Sequence, residues 1–369
     1  MADLRDRSQR YRGSSSHRNQ NGNSNNRGGG RGGYSNRGGR GNDNRFGRRG
    51  GYAGNRGGGG GRGGYVDCID KQCDLVGHKQ VVRVVTLVTE PSGRQVIYSA
   101  GQDRTVRVWD VSLPRNKQCT NCVNVEDDVG SLLVASGWLF VGIPGKIKCW
   151  NMSDNSQSDL VGHQGQVHCL APYTEQGIIF SGGADGTIRA WRFNQQTSTF
   201  DPVGNMLGHT GAVLQLQIVG TLLFSGAMDG TIRVWDLNSA QCVFTCQAHN
   251  MPVMGILVWE NHLLSASLDG TVKVWTWNAP GGPLDLTFTH TIDQSNPAGV
   301  LAMCGALDAN QKPVLITSCN DGTVRFFELP TFESKGVLRQ RNDVRSVGSG
   351  NGNFYFGHND GLVRVWKWK

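Results

Sequence analysis

The stretch SGAMDGTIRVWD, residues 225–236, ends a strand-like run in Trp235 and carries an Asp six residues before that Trp. Similar runs recur and end in an aromatic residue at Trp109, Trp150, Trp191, Trp235, Trp275, Phe327 and Trp366. The intervals between these residues are 41, 41, 44, 40, 52 and 39 residues. A motif that returns at a nearly fixed period of this length indicates one structural unit repeated seven times.

Other residues keep a fixed place in these units. An Asp stands six residues before the aromatic residue at Asp103, Asp185, Asp229, Asp269, Asp321 and Asp360, whereas the second unit has Pro144 there. Four units begin with a Gly-His or Ala-His pair, at His78, His163, His209 and His249. Gly-His and Trp-Asp marks at this period are the signature of a WD-repeat β-propeller. We therefore predict an all-β, seven-bladed WD-repeat propeller over residues 66–369.

The same four units have a Ser four residues before the Asp. In WD-repeat proteins His, Ser, Asp and Trp form a hydrogen-bonded tetrad, which satisfies buried polar groups and stiffens the blade. A His–Asp–Ser set also resembles a hydrolase triad, but recurrence once per blade favours a structural role. No P-loop or nucleophile elbow is present, so we predict that the protein is not an enzyme. The predicted tetrads are His78, Ser99, Asp103, Trp109; His163, Ser181, Asp185, Trp191; His209, Ser225, Asp229, Trp235; and His249, Ser265, Asp269, Trp275.

The second unit, FVGIPGKIKCW at 140–150, lacks the His, the Ser and the Asp together and has Phe140 in place of the Ser. Because the whole set is missing, no buried partner is left unpaired, and we interpret this unit as an apolar variant of a blade. The chain reaches its last Trp one strand short of a full blade. We therefore predict that residues 68–78 supply the closing strand of the last blade, since a ring with open edges would leave backbone groups unpaired.

Residues 1–65 differ in composition from the rest. Residues 1–64 contain 14 Arg, no Lys and three acidic residues, a net charge of +11, against −3 for the remainder. Arg-Gly-Gly begins at Arg27, Arg31, Arg37, Arg49, Arg56 and Arg62, and Tyr34, Phe46 and Tyr52 are interleaved. A segment with so few apolar residues cannot bury enough surface to fold, so we predict a disordered tail.

The tail resembles the RGG boxes of RNA-binding proteins. Arg forks bind phosphate in bidentate fashion and stack on bases, and aromatic rings stack on exposed bases. We predict weak, salt-dependent RNA binding through the Arg and aromatic residues named above, with no sequence readout. The alternative is a solvated spacer that has no specific ligand.

Several stretches of the propeller resemble one plant family in particular: GWLFVGIPGKIKCWN (137–151), DPVGNMLGHTGAV (201–213), GVLAMCGALDANQKPVLITSCND (299–321) and ELPTFESKG (328–336). This family joins CCCH zinc fingers to a WD-repeat propeller. A CCCH finger needs three Cys and one His around Zn²⁺, yet residues 1–67 contain no Cys. The resemblance therefore implies a member without the finger, and we predict no bound metal and no cofactor.

The ten cysteines do not form a zinc pattern elsewhere. Cys119 and Cys122 make an isolated C-x₂-C without a second pair. Cys242 and Cys246 are four residues apart, and strict alternation along a strand predicts that they share one face as buried thiols.

Residues beside the His marks and before the Asp residues are predicted to edge the partner-binding face. The candidates are Met228, Met251, Leu268, Lys79, Gln80, Gln164 and Gln166. Met228, Leu268 and Met251 fall on neighbouring blades 4 and 5 and are candidates for an apolar hot spot. The alternative is that all seven are ordinary loop residues.

Together these features favour a non-enzymatic scaffold that binds protein partners through a monomeric propeller and RNA through the tail. Two alternatives stay open: a substrate receptor of a cullin-type ubiquitin ligase, and a protein-only scaffold with a spacer tail. The receptor reading is weakened because Trp109-Asp110 and Trp235-Asp236 lack the Arg that commonly follows in such receptors. The sequence has no signal-peptide-like start and no long apolar run, so we expect a nuclear or cytoplasmic protein that contacts no membrane.

Overall fold

The computed structural model describes residues 69–90, 93–277, 286–292, 298–350 and 352–369. These residues form seven antiparallel sheets of four strands each, which confirms the predicted seven-bladed propeller. The predicted tail, its RNA-contact residues and the domain boundary near residue 65 lie outside the described residues.

Blades 1 to 6 each take four consecutive strands, and blade 7 combines the last three strands with the first. Blades 1 to 3 contain β2 (Val82–Thr89), β3 (Gln95–Gly101), β4 (Thr105–Trp109), β5 (Cys119–Asn124); β6 (Ser131–Ala135), β7 (Trp138–Ile143), β8 (Lys146–Asn151), β9 (Gln157–Val161); and β10 (Val167–Tyr173), β11 (Ile178–Gly183), β12 (Ile188–Asn194), β13 (Thr199–Met206). Two short 3-10 helices, Arg115–Lys117 and Thr174–Gln176, lie in connections of blades 1 and 3.

The remaining blades follow the same order. Blades 4 to 7 contain β14 (Val213–Val219), β15 (Leu222–Ala227), β16 (Thr231–Asp236), β17 (Gln241–Gln247); β18 (Val253–Trp259), β19 (His262–Ser267), β20 (Val272–Trp277), β21 (Leu286–Ile292); β22 (Val300–Leu307), β23 (Pro313–Cys319), β24 (Thr323–Glu328), β25 (Ser334–Arg339); and β26 (Val344–Gly350), β27 (Asn353–His358), β28 (Leu362–Trp368), β1 (Ile69–Val76).

The core lies between neighbouring blades. The second strand of each blade is buried on both faces, as in IIFSGG of β11, because its neighbours in the ring cover both sides. Between blades 2 and 3, Phe140 and Trp138 meet Phe200 edge to face, with ring centroids 5.1 and 5.3 Å apart. Phe140 thus packs in an aromatic cluster where blade 4 has Ser225.

The ring is closed by β1, which pairs antiparallel with β28. Leu75 faces Val363, and both are buried in the cluster that joins blades 7 and 1. At the other side of blade 7, Trp368 packs against Phe354 and donates its indole N–H to the Leu307 carbonyl at 2.9 Å. Residues from both ends of the described propeller therefore hold the last blade.

β-Bulges shift the register at two places in most blades. In every blade except blade 2, one register shift lies in the pairing of the innermost strand with the second strand, directly after the first residue of the innermost strand. The other shift lies in the pairing of the third strand with the outermost strand. In blade 4 the outer shift places Cys242 opposite Trp235 and Cys246 opposite Ile232. The prediction that both cysteines are buried on one face was therefore wrong: Cys242 is exposed, and the extra residue of the bulge reverses the alternation.

Candidate functional site

The His, Ser, Asp and Trp of blade 1 form a continuous hydrogen-bonded chain. His78 Nε2 lies 2.7 Å from Ser99 Oγ, and Trp109 donates its indole N–H to the same oxygen at 2.7 Å. The Asp103 carboxylate can only accept, so His78 carries its proton on Nδ1, 2.9 Å from Asp103, and the neutral ring's Nε2 accepts from the Ser99 hydroxyl. Each polar group of the set thus has a partner.

The other three predicted sets are joined in the same way. The Trp–Ser distance is 2.9 Å in all three, and the Ser–His distance is 2.7 to 2.8 Å: Trp191–Ser181–His163, Trp235–Ser225–His209 and Trp275–Ser265–His249. The His Nδ1–carboxylate distances are 3.0, 3.2 and 3.0 Å, to Asp185, Asp229 and Asp269.

Burial decides what these sets can do. The four serines are completely buried, so no substrate can reach their hydroxyls. Burial lowers the pKa of each His, against the opposing effect of its Asp, and keeps the ring neutral at pH 7. Burial would raise the pKa of Asp185, but hydrogen bonds from Gln164 N–H and Thr187 outweigh it and lower the pKa to about 2. The geometry supports a structural role and leaves no access for catalysis.

The Gly of each Gly-His pair has a packing reason that the sequence reading missed. An added Cβ at Gly77, Gly162 or Gly208 would meet the guanidinium of an Arg two residues before the blade's Trp, at 2.6 to 2.8 Å. Blade 5 has Ala248 instead, and there the basic residue is Lys273, whose Nζ donates to the Ala248 carbonyl at 2.7 Å. The Arg or Lys that recurs two residues before the Trp was the sequence signal for this contact.

Blade 2 replaces the tetrad with ion pairs. Lys148 is buried, and its Nζ lies 2.9 Å from Glu126, while Lys146 Nζ lies 2.7 Å from Asp159. Hydrogen bonds from Lys148 and Lys146 lower the pKa of Glu126. The charged side chains of this blade thus find partners in one another near its edge, while Phe140 fills the interior.

Blade 7 carries its histidine on a different strand. His358, two residues before Asp360, is fully buried where the other blades have a small residue or Cys319. A Cβ at the equivalent Gly183 of blade 3 would overlap His163, so a side chain at this position and a loop histidine do not fit together in one blade. Among the described residues neither ring nitrogen of His358 has a hydrogen-bond partner, nor does Trp366 Nε1. Burial, then the Arg364 charge, lowers the pKa of His358 to about 4.

The predicted partner-face residues do not all have the same environment. Met228 and Met251 are exposed, by 54% and 47%, and Leu268 is half-buried. Lys79, Gln80 and Gln164 are exposed as well, and the backbone N–H groups of Lys79 and Gln164 donate to Asp103 and Asp185.

Gln166 differs from the rest of this set. Its side-chain amide donates to the backbone carbonyls of Asp128, Gly142 and Val167, at 3.3 to 3.4 Å. Gln166 therefore ties blade 2 to blade 3, and its amide is engaged within the fold.

The central channel is a cavity of about 580 Å³. The residue after the first Val of the innermost strand lines it in six blades, because the bulge at that point turns the side chain inward. These residues are Arg345, Arg83 and His168 of blades 7, 1 and 3, and Leu214, Met254 and Leu301 of blades 4, 5 and 6. Sequence reasoning missed this set, although the position after each repeat Val marks it.

No zinc site is formed by the propeller residues that the structure describes. Both ring nitrogens of His78 are engaged by Ser99 and Asp103, so His78 cannot join Cys73 as a ligand. Across the described ranges no group of three His, Cys, Asp or Glu side chains is arranged to hold a metal ion. In the same ranges no helix is long and apolar enough to cross a membrane.

Comparison with known proteins agrees with this geometry. The family model described as WD domain, G-beta repeat, matches residues 70–110, 154–192, 200–236 and 240–276. The WD40 β-propeller domain of Doa1 superimposes with a TM-score of 0.66 at 22% identity, over 82% of this chain and 97% of that domain. The chain is therefore a WD-repeat propeller, a class that generally serves as a non-catalytic platform for protein interaction.

Three plant relatives identify the family. Zinc finger CCCH domain-containing protein 48 of Arabidopsis thaliana is 41% identical over 295 residues, 80% of this chain and 66% of that protein. Protein 17 of the same series from Oryza sativa subsp. japonica is 36% identical (82% and 67%), and protein 63 from Arabidopsis thaliana is 38% identical (80% and 65%). The chain belongs to this plant CCCH zinc finger and WD-repeat family. It spans about two thirds of the length of these relatives.

Proposed function

We propose that this protein is a scaffold that binds an acidic, partly apolar peptide of a protein partner at the channel mouth and binds RNA through its Arg-Gly-Gly tail. The observation that carries the first half is the division of the channel lining. Blades 7, 1 and 3 contribute two Arg and one His, and blades 4, 5 and 6 contribute two Leu and one Met.

The side of the channel that blades 7, 1 and 3 line carries positive charge, which suits an anion. Asp343 pairs with Arg345 at 2.9 Å, whereas the half-buried guanidinium of Arg83 has no ion-pair partner within the described residues. Burial, together with the Arg83 charge, lowers the pKa of His168 and keeps it neutral at pH 7. A guanidinium that is partly withdrawn from water favours a carboxylate that enters the channel.

The apolar side of the channel continues onto the rim. Leu214 and Met254 line the channel in blades 4 and 5, and Met228 and Met251 are exposed on loops of the same two blades. Methionine side chains adapt to different apolar shapes. A ligand that inserts an acidic group toward Arg83 and lays an apolar side chain toward blades 4 and 5 uses both halves.

A displayed library of random peptides, selected on the full chain, tests this proposal. Enriched peptides should pair Asp or Glu with a neighbouring large apolar residue. An Arg83→Gln variant should lose the acidic preference, whereas Arg192→Gln, an exposed Arg at the far end of blade 3, should keep it. Enrichment of peptides without an acidic residue, or binding indifferent to Arg83→Gln, contradicts the proposed site.

The RNA half of the proposal rests on the sequence of the tail, with six Arg-Gly-Gly motifs and no Lys. It is tested by the anisotropy of a labelled, unstructured RNA oligonucleotide at low and high salt. Binding should weaken steeply with salt. Replacing the six motif arginines by Lys should lower affinity at unchanged charge, because Lys lacks the planar fork. Unchanged low-salt affinity after deletion of residues 1–64 would overturn this half alone.

A further inference from the structure

We propose that Cys119 and Cys122 form a reversible disulfide on the outer edge of blade 1. This modification site is independent of the proposed scaffold function. Both cysteines lie on β5, the outermost strand of the blade, and both are exposed free thiols.

The bulge in β5 places the two side chains on one face. Cys119 is the partner of Trp109 and Cys122 is the partner of Arg107, with the register shift between Val108 and Trp109. Trp109 and Arg107 are two residues apart on β4 and point to the same side, and cross-strand partners share a side. The two cysteines therefore share a face although they are three residues apart, which a regular strand would forbid.

Blade 4 shows how close two side chains at these positions come. Cys242 is the partner of Trp235, and Thr245 is the partner of Arg233, with the same register shift. Cys242 Sγ lies 3.3 Å from Thr245 Oγ1. Blade 1 has a sulfur atom in place of that hydroxyl.

The two outer strands also agree in local detail. Cys119 Sγ lies 3.5 Å from the Asn121 carbonyl oxygen, and Cys242 Sγ lies 3.3 Å from the Phe244 carbonyl oxygen. Each Cys also accepts a hydrogen bond from the Arg two residues before the blade's Trp, at 3.8 Å from Arg107 and 3.9 Å from Arg233. Because these contacts agree, we take the 3.3 Å spacing in blade 4 as the guide to the pair in blade 1.

Accessibility separates this pair from the buried thiols. Cys149 and Cys169 are buried inside the ring, and burial raises the pKa of both. Cys119 and Cys122 can meet a soluble oxidant and a soluble dithiol without opening the fold. A disulfide closing so short a loop on an exposed edge belongs to the labile, reducible class.

The chemistry needs a hydroperoxide as the oxidant. One thiol releases its proton, and its thiolate sulfur attacks an oxygen of hydrogen peroxide. The O–O bond breaks, the sulfur becomes a sulfenic acid, and the departing hydroxide takes up the released proton and leaves as water. The second sulfur attacks the sulfenic sulfur, the S–S bond forms, and a second water leaves. Two thiols and one hydrogen peroxide thus become one disulfide and two waters, and a dithiol returns the pair by two-electron exchange.

The test uses the folded full chain, treated with hydrogen peroxide, alkylated, digested and analysed by mass spectrometry. The peptide that contains both cysteines should lose two hydrogens and resist alkylation, and dithiothreitol should reverse this. Cys122→Ser should stop the reaction at sulfenic acid on Cys119. Thr245→Cys should create a second disulfide with Cys242, which measures the bulge geometry in an independent blade.

The same oxidation in urea is the control for folding. The bulge exists only in the native sheet, so the disulfide should form faster in the folded chain than in the unfolded one. Equal rates, independent alkylation of both thiols after oxidation, or oxidation of each to sulfinic acid without a disulfide would overturn the proposal. Far-UV circular dichroism before and after oxidation verifies that the propeller is intact.

Discussion

Gly77 lies against the indole of Trp109 so closely that a Cβ on residue 77 would stand 2.8 Å from Trp109 Cη2. The indole cannot easily withdraw, since it is almost fully buried and bonded to Ser99. Gly77→Ala should therefore lower the free energy of unfolding by about 1–3 kcal/mol. Gly208→Ala is the matched control: at both positions the closest atom is a movable Arg guanidinium nitrogen at 2.6 Å, but at Gly208 the indole stands farther away, at 3.3 Å. Urea unfolding should rank Gly77→Ala as the costlier change; the reverse order would contradict this packing.

Removing one hydroxyl from a tetrad should be costly. Ser225→Ala leaves His209 Nε2 and the Trp235 indole N–H buried without a partner. Each orphaned buried group costs about 1–3 kcal/mol, so we expect a loss of about 2–4 kcal/mol in unfolding free energy. The control Ser334→Ala, at an exposed position of β25, should change it by less than about 0.5 kcal/mol. Equal effects of the two substitutions would show that the tetrad does not stabilise blade 4.

Stability should fall as the solution is acidified below neutral pH. Burial lowers the pKa of the four tetrad histidines and of His358, the last to about 4, whereas an unfolded His titrates near 6.5. Below about pH 6.5 the unfolded chain therefore binds more protons, and the stability present above this pH is progressively lost. Chemical denaturation at pH 7, 6 and 5 measures the slope.

His358 gives this pH dependence an internal check. His358→Leu removes a buried group whose nitrogens lack partners. On acidification the variant should therefore lose less unfolding free energy than the natural chain, by on the order of 3 kcal/mol near pH 4. The variant should be no less stable than the natural chain at pH 5. A slope identical to that of the natural chain would argue against a lowered pKa at His358.

Loss of the closing strand should unfold the ring. A chain that begins at residue 77 lacks β1 and exposes the paired edge of β28 together with the buried partners of Leu75. A chain that begins at residue 67 keeps β1 and serves as the control. We expect cooperative unfolding for the control and a much lower midpoint, or no cooperative transition, for the shorter chain. Equal midpoints would mean that β1 adds nothing to stability.

The exposed methionines should matter for binding and little for folding. Met228→Asp combined with Met251→Asp places two charges on the proposed apolar rim. The double variant should no longer bind the selected peptides, with or without Leu268→Asp. Leu207→Asp, at a site 70% exposed outside the channel, is the control for a surface charge. Unchanged affinity of the double variant would remove Met228 and Met251 from the site.

The repeat spacing predicted the seven blades because each blade must bury the same residues at the same place, and aromatic residues such as Trp235 record that requirement directly. The spacing located the four residues of each tetrad, and the resemblance to WD-repeat proteins supplied their hydrogen-bonded pairing. The channel residues and the shared face of Cys119 and Cys122 did not, because both depend on β-bulges. A bulge adds one residue without a distinctive sequence and reverses the alternation on which strand predictions rest.

Blade 7 shows a second limit of reading by position. His358 stands at the repeat position of Gly183, where an added Cβ would overlap the loop histidine His163, and no loop histidine precedes blade 7. Spacing compares residues along the chain, whereas packing compares volumes in space. Such an incompatibility is therefore invisible until the strands are paired.

The pairing of Leu75 with Val363 joins residues 288 positions apart in the chain. At about 5–20 residues per second, a ribosome needs about 15–60 s to make the segment between them. Throughout that interval β1 has emerged without its partner, and it is competent to pair with the same edge on another nascent copy. On crowded polysomes, closure of each ring by its own first strand therefore competes with exchange of first strands between neighbouring copies.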